Sequence, residues 1–418
     1  MKLSTFISQR DYQTFAGPDW PSYHDFVAGQ QANHSHIQQE IDQFVVMMRQ
    51  SHEALIKSGD ELAQGNQQRQ KQVFYNKKYF SASPCRVPWE TLGVNSNGDV
   101  YICSSPSWIP LFVGNILQTT DIYQVLNSEI AQSIRQEILK GRYFYCNNRI
   151  CNYFSDVDPT QYASEPVVDD RPLTVETRAD TLVNQIPKNL IFDFDYTCNF
   201  KCPSCRTEVI NNNKHHIIRP INDRIVQVIR EQIIDRVQNQ PILIRWCGGE
   251  PFISDVYNEL LDYITAQNKP NIRHIIQTNG SYLQKKANKI RALLPSVQEL
   301  RISFDAACAE TYAKTRVGGD WNLLLENVKW VKWQIQQLGA DTKLSADFVV
   351  QRDNYNEIPA FVELCNQLGI PHINFQKMWN WGTWPQQQFD DNNIYNPDHP
   401  EYDQLVQKFQ QAGRKIKF

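Results

Sequence analysis

The sequence predicts an α/β protein whose second half is built on a parallel sheet. Two observations carry this. From residue 188 onward, apolar strand-like runs alternate with segments of helical period, joined by connections long enough for crossovers. Before that region, two short β-type runs flank Asn97-Gly98 and a helical stretch follows, which reads as a small α+β module of hairpin plus helix.

Taken in order, residues 1–80 form an N-terminal helical or extended region. Ile37, Ile41, Phe44, Val45 and Met48 recur at helical spacing, and His34 and His36 read as a solvated helix start rather than a metal site. The module occupies 81–155, with strands at 91–94 and 100–103, a type I′ turn at Asn97-Gly98, and one helix over 122–139. Residues 156–187 are a polar, proline-bearing linker. The main domain, 188–390, has strands at 189–194, 241–247, 272–278, 298–305, 344–350 and 372–377. Its helices lie at about 223–237, 254–267, 282–293, 321–338 and 355–368. Six strands are too few for a closed eight-stranded barrel, and in such sheets the site lies at the carboxyl ends of the strands. A helical tail, 391–418, closes the chain.

Of the 418 residues, 41% are hydrophobic and 21% charged, the balance of an ordinary globular protein. A net charge of −3 gives no reason to expect nucleic acid or another polyanion as partner. The first residues lack the apolar core of a signal peptide, and no run approaches the roughly 20 apolar residues of a membrane span. The ten cysteines fall into tight groups plus singles. In a cytoplasmic chain, the expected setting, that distribution favours metal binding over disulfides.

Cys198, Cys202 and Cys205 have the spacing C-x3-C-x2-C and follow the apolar run Leu190-Ile191-Phe192, as a loop after a strand would. A structural zinc site wants four protein ligands, whereas three thiolates on a four-iron cluster leave one iron open for a ligand. The cysteines alone also fit a zinc knuckle or core thiols. Cys247-Gly248-Gly249-Glu250-Pro251 follows the second strand, where two glycines let the backbone approach a ligand and Glu250 offers a carboxylate. Thr278-Asn279-Gly280 ends the third strand, as a ligand contact or an ordinary turn. On the fourth, alternation sends Ser303 and Asp305 to one side.

Together these motifs resemble the radical SAM superfamily. The resemblance implies a partial (βα)6 TIM-type barrel. It implies a [4Fe-4S] cluster on Cys198, Cys202 and Cys205 whose open iron is chelated by S-adenosylmethionine. Reductive cleavage of S-adenosylmethionine would yield methionine and a 5′-deoxyadenosyl radical. Gly248, Gly249, Glu250 and Pro251 would meet the amino group of the cofactor, and Asn279, Ser303, Asp305 and Arg316 would complete its site, the arginine pairing the carboxylate. From the residues alone, the rival reading of Arg316 is a surface residue at a helix end. Ser204 stands where the superfamily often has an aromatic that packs on adenine. A reducing partner such as flavodoxin or ferredoxin is implied as well.

In the module, the hairpin folds Cys103 back towards Cys85, and Cys146 and Cys151 follow the helix. Four such thiols make a closed site for zinc or for iron–sulfur. The pattern C-x12-G-x4-C resembles the opening of SPASM and twitch domains, which implies an auxiliary [4Fe-4S] cluster acting as electron conduit or structural element. Two departures stand out: the module precedes the core instead of following it, and it has only four cysteines.

Three cysteines remain. Cys247 and Cys308 either donate hydrogen atoms or pack, and Cys365 reads as a core residue on a helix. Trp379, Trp381 and Trp384 wall a substrate cavity or seal a core. The expected activity is radical modification of a peptide by cross-link, epimerisation or oxidation. A small-molecule substrate such as a sugar or nucleotide is the alternative. A non-catalytic zinc or iron–sulfur protein, for binding or electron transfer, is the alternative of another class.

Overall fold

The computed structural model describes residues 85–106, 108–109, 111–139, 145–146, 151, 178–380 and 383–414. The helix expected over 37–48, His34, His36, most of the linker and Trp381 lie outside these residues. The described chain forms two compact units, one holding 85–194 and 216–242, the other 195–215 and 243–414.

The first unit contains β1 (Thr91–Asn95), β2 (Asp99–Tyr101), β3 (Gly114–Asn115) and β4 (Asn189–Asp193), in the order β3-β2-β1-β4. Its helices are α1 (Val87–Glu90), α2 (Ile122–Leu126), α3 (Glu129–Leu139) and α4 (Ile218–Val228), the last continued by a π-helical segment, Ile229–Ile234. The hairpin forms, with a different turn from the one expected. Val94 faces Val100, Gly98 N–H donates to Asn95 O at 2.9 Å, and Gly98 lies at φ 80° while Asn97 does not enter the left-handed region. A type I′ turn needs two such residues; one glycine after two ordinary residues closes a three-residue loop instead.

The expected helix over 122–139 is broken at Asn127. Its amide exchanges two 2.8 Å hydrogen bonds with the backbone of Val183, and an asparagine so engaged competes with the helix ladder. Arg135 on α3 is fully buried and donates to the carbonyls of Pro88, Leu126 and Thr181 at 2.7–3.0 Å. It thereby ties α1, the end of α2 and the approach to β4 together. β1 pairs with β4 in parallel, Thr91 opposite Asn189 through Asn95 opposite Asp193. Gly93 lets β1 pair with β2, because a Cβ there would lie 2.1 Å from the Tyr101 ring opposite it.

The second unit carries β5 (Ile242–Trp246), β6 (Ile272–Thr278), β7 (Val297–Ser303), β8 (Lys343–Val350) and β9 (His372–Lys377), in sequence order. The pairs from β6 to β9 are all parallel. Its helices are α5 (Asp255–Ala266), α6 (Ala287–Leu293), α7 (Ala309–Thr315), α8 (Trp321–Gln337), α9 (Ile358–Leu368), α10 (Gln386–Asn392) and α11 (Tyr402–Gln411). The strands match the expected ones to within two residues, and α7 is an addition. The helix ends follow local chemistry: Ser254 caps α5 through Tyr257 N–H, and α9 begins with a proline and stops at Gly369, φ 65°.

One face of this sheet is apolar and covered by helices. Trp246 meets Tyr257 of α5, Phe348 stacks 4.7 Å from Phe361 of α9, and Phe375 lies 5.0 Å from Phe409 of α11. Among the described residues, no helix is long and apolar enough to cross a membrane.

Candidate functional site

The loop after β4 carries Cys198, Cys202 and Cys205, and two backbone bonds dock it on the Gly-Gly-Glu turn. Gly249 N–H donates to Asp195 O at 2.9 Å and Glu250 N–H to Thr197 O at 2.7 Å. A Cβ on Gly249 would lie 2.2 Å from that Thr197 oxygen, so only glycine permits the approach. Asp195 organises the loop: one carboxylate oxygen accepts from Thr197 N–H and O–H and from Asn212 Nδ2, and the other from Ser254, the cap of α5.

Each of the three thiols meets one side-chain N–H donor, and each such donor comes from a different part of the chain. Asn279 Nδ2 stands 3.9 Å from Cys198 Sγ, Arg316 Nη1 3.7 Å from Cys202 Sγ, and Arg206 Nη2 3.4 Å from Cys205 Sγ. Cys198 and Cys202 are buried and Cys205 is exposed. Burial pushes Cys198 up to about 11, with Arg206 opposing, and raises Cys202, with Arg316 opposing. Thiols that bind iron must give up their protons, and the two guanidiniums face the charge that this creates. The donor set therefore fits an anionic thiolate cluster.

Glu250 is buried with its carboxylate already engaged. Oε1 accepts from Thr278 Oγ1 at 2.7 Å and Phe252 N–H at 3.2 Å, and Oε2 from Asn279 N–H at 2.6 Å. Burial pushes its carboxyl up to about 7. Asp305, at φ 56°, holds Arg316 with Oδ2–Nη2 2.8 Å and accepts Val349 N–H at 2.7 Å; its carbonyl takes Thr315 O–H and Asn354 Nδ2. So many bonds hold a backbone conformation that costs energy outside glycine. Although burial disfavours its charge, Asp305 and Cys202 keep Arg316 firmly protonated. Its Nε is buried without a partner.

Other expected residues are placed as follows. Gly248 lies at φ 98° and its carbonyl accepts from Arg206 at 3.1 Å; the Pro251 carbonyl accepts from Asn258. Ser303 is buried opposite Asp347. Cys247 is half-buried, and its carbonyl accepts the Tyr257 hydroxyl. Cys308 sits in a separate cluster, donating to Glu357 Oε1 at 3.1 Å beside Thr311. Cys365 is fully buried.

In the first unit, Cys85, Cys103, Cys146 and Cys151 feel one another electrostatically. Burial pushes Cys103 up to about 12, against backbone N–H groups of Ser104 and Ser105 that favour its thiolate. Among the described residues, no group of three or more His, Cys, Asp or Glu is arranged around a single metal ion.

Residues 194–335 match the radical SAM superfamily. That stretch of the chain is a radical SAM region. Residues 85–152 match SPASM, an iron–sulfur cluster-binding domain, which here lies N-terminal to the radical SAM region. Both matches imply iron–sulfur clusters, and the first implies S-adenosylmethionine. A probable GTP 3′,8-cyclase of Saccharolobus islandicus is 23% identical over 188 residues, 45% of this chain and 56% of its own. The mycofactocin maturase MftC of Mycobacterium ulcerans is 26% identical over 187 residues, 44% of this chain and 45% of its own. The chain thus spans about half the length of the curated relatives it matches. Native anSMEcpe with bound AdoMet and Cp18Cys peptide is 15% identical, with a TM-score of 0.32, over 54% of this chain and 62% of that one.

Sequence reasoning missed Arg206, Asp195 and Asn212. A signal for Arg206 was present, since it directly follows the last cysteine of the motif, where a cation can meet a thiolate.

Proposed function

We propose that the chain is an enzyme that reductively cleaves S-adenosylmethionine at Cys198, Cys202 and Cys205 and abstracts hydrogen from a bound substrate. The observation that carries this reading is the side-chain N–H donor set against each thiol. With cluster and cofactor bound, the site would supply an electron and a 5′-deoxyadenosyl radical. Asn279, Arg206 and Arg316 hold the thiolates and offset their charge. The Gly248–Gly249 backbone keeps the cofactor side of the loop free of side chains. Ser303 and Arg316 close the cofactor site, Arg316 remaining tied to Asp305 while its Nε is buried without a partner.

Cys85, Cys103, Cys146 and Cys151 would hold an auxiliary [4Fe-4S] cluster in a domain over 81–155, ahead of a barrel over 188–390. A flavodoxin- or ferredoxin-type reductant in the cytoplasm would serve both. A peptide is the first choice of substrate, supported by the maturase among the relatives and by the exposed Trp379 beyond β9. A nucleotide is the second reading, favoured by the GTP 3′,8-cyclases.

The test is iron and sulfide content of anaerobically purified protein, wild type beside Cys198→Ala/Cys202→Ala/Cys205→Ala, followed by an assay for 5′-deoxyadenosine. About eight irons against about four is expected from two four-iron clusters, with deoxyadenosine from the wild type alone. Stoichiometric zinc and no cleavage would sink the enzyme reading and promote a zinc-stapled binding protein.

A further inference from the structure

Parallel strands are normally covered on both faces and read as nearly continuous apolar runs. Strands β7, β8 and β9 do not. Val-Gln-Glu-Leu-Arg-Ile-Ser, Lys-Leu-Ser-Ala-Asp-Phe-Val-Val and His-Ile-Asn-Phe-Gln-Lys alternate, and only one set of side chains meets the helices. The other face is polar, and register aligns it: Gln277 stands beside Arg301, Arg301 beside Ser345, and Asp347 between Ser303 and Asn374. On β5, Trp246 bonds His274 on the covered face, Nε1 to Nδ1 at 3.1 Å, which leaves Arg245 on the polar one.

Part of this wall neutralises itself. Glu299 pairs with Arg301 at 2.7 Å and with Lys343 at 3.1 Å. Asp347 is held by two carboxamides, Asn374 Nδ2 at 2.8 Å and Gln376 Nε2 at 3.0 Å. Part of it does not. Arg245 and Arg301 each bury an Nε with no partner. Buried donors are nearly always satisfied, and a guanidinium N–H left without a protein acceptor can take one from water or a ligand. An arginine fork matches a carboxylate or a phosphate.

We propose that this face is the substrate-recognition wall, with Arg245 taking an anionic group of the substrate, carboxylate or phosphate, and Asp347 an N–H or O–H donor of the same molecule. The assignment rests on the radical reading of the site, since the same sheet presents Ser303 one residue pair from Asp347. It selects among substrates of either size: a peptide would bring a carboxylate, a nucleotide or sugar phosphate a phosphoryl group.

The experiment titrates anaerobically reconstituted full-length protein, with S-adenosylmethionine present, against inorganic pyrophosphate and, separately, glutarate, by calorimetry. Wild type is compared with Arg245→Gln and Arg245→Lys. Loss of a charge-assisted hydrogen bond predicts binding about 10–100-fold weaker in Arg245→Gln. Arg245→Lys should fall between the two and shows that charge, not folding, is read. Preference for pyrophosphate assigns a phosphoryl group, and preference for glutarate a carboxylate. Binding of neither probe by wild type, or equal affinity in Arg245→Gln and wild type, overturns the proposal. Deoxyadenosine formation by wild type is measured in the same preparation. Cleavage without anion binding leaves the radical reading standing and removes the wall. Anion binding lost in Arg245→Gln, without cleavage, removes the radical reading and keeps the wall as a ligand site.

Discussion

Arg316 spans the gap between Asp305 and the thiol of Cys202, with Nη2 2.8 Å from one and Nη1 3.7 Å from the other. The pair is buried, so removing one partner strands a charge. Arg316→Met is expected to lose about 3–5 kcal/mol of stability. Arg316→Met/Asp305→Asn, which removes both charges, should recover much of that loss. Urea unfolding of these two variants beside Asp305→Asn and the wild type checks this; a double variant as unstable as the sum of the two single ones would refute the ion-pair account.

The donors to the other two thiols should set the potential of the cluster. Hydrogen bonds and cations beside the sulfurs favour the reduced, more negative state. Asn279→Ala and Arg206→Met are each expected to lower the potential. The shift should be about 40 mV for a bond worth about 1 kcal/mol in a one-electron couple. Redox titration followed by electron paramagnetic resonance measures it. A potential unchanged in both variants would mean that the contacts only pack the loop.

Gly249→Ala places a methyl group 2.2 Å from the Thr197 carbonyl oxygen. The cysteine loop must then move off the Gly-Gly-Glu turn and give up the bonds to Asp195 and Thr197. Lower iron content after reconstitution and a lower melting temperature are expected, whereas iron loading equal to wild type would show that the loop tolerates the displacement.

Stability should fall as pH rises from 5 to 7. Burial pushes Asp99 up to about 6, against the Asn115 Nδ2 bond at 2.8 Å that favours its ionised form. Its folded value lies above the unfolded one, so its contribution is fully present at low pH and is lost as pH rises through about 6. Glu250 and Asp193, pushed up to about 7 by burial, act with the same sign. Glu299 acts with the opposite sign. Although burial opposes it, Arg301 and Ser345 pull it down to about 2, so its contribution is lost only in acid, below this window. Asp99→Asn should flatten part of the slope between pH 5 and 7, measured as urea midpoint against pH.

How much of this was legible beforehand depends on what each residue answers to. The cysteine triplet, the Gly-Gly-Glu turn and the six strands follow from spacing and alternation, which are local. The partner of Arg316 is not local: the sequence suggests a ligand carboxylate, and the fold supplies Asp305 from the end of the neighbouring strand. Asn97-Gly98 announces a hairpin, yet the bond from Gly98 to Asn95 decides the loop length. The break at Asn127 depends on Val183, 56 residues away, and no period in 122–139 reveals it. Arg245 was visible as a charge in a strand-like run, but its lack of a partner is a property of the folded sheet.

The parallel pairing of β1 with β4 bears on biosynthesis. Thr91 leaves the ribosome roughly 100 residues before Asn189, its partner. At about 5–20 residues per second, the open edge of β1 waits about 5–20 s for its neighbour. An unpaired strand edge is a template for wrong partners, and Leu92 and Val94, wholly buried in the end, are exposed during that delay. Filling Cys85 and Cys103 with metal early would brace the hairpin through this interval.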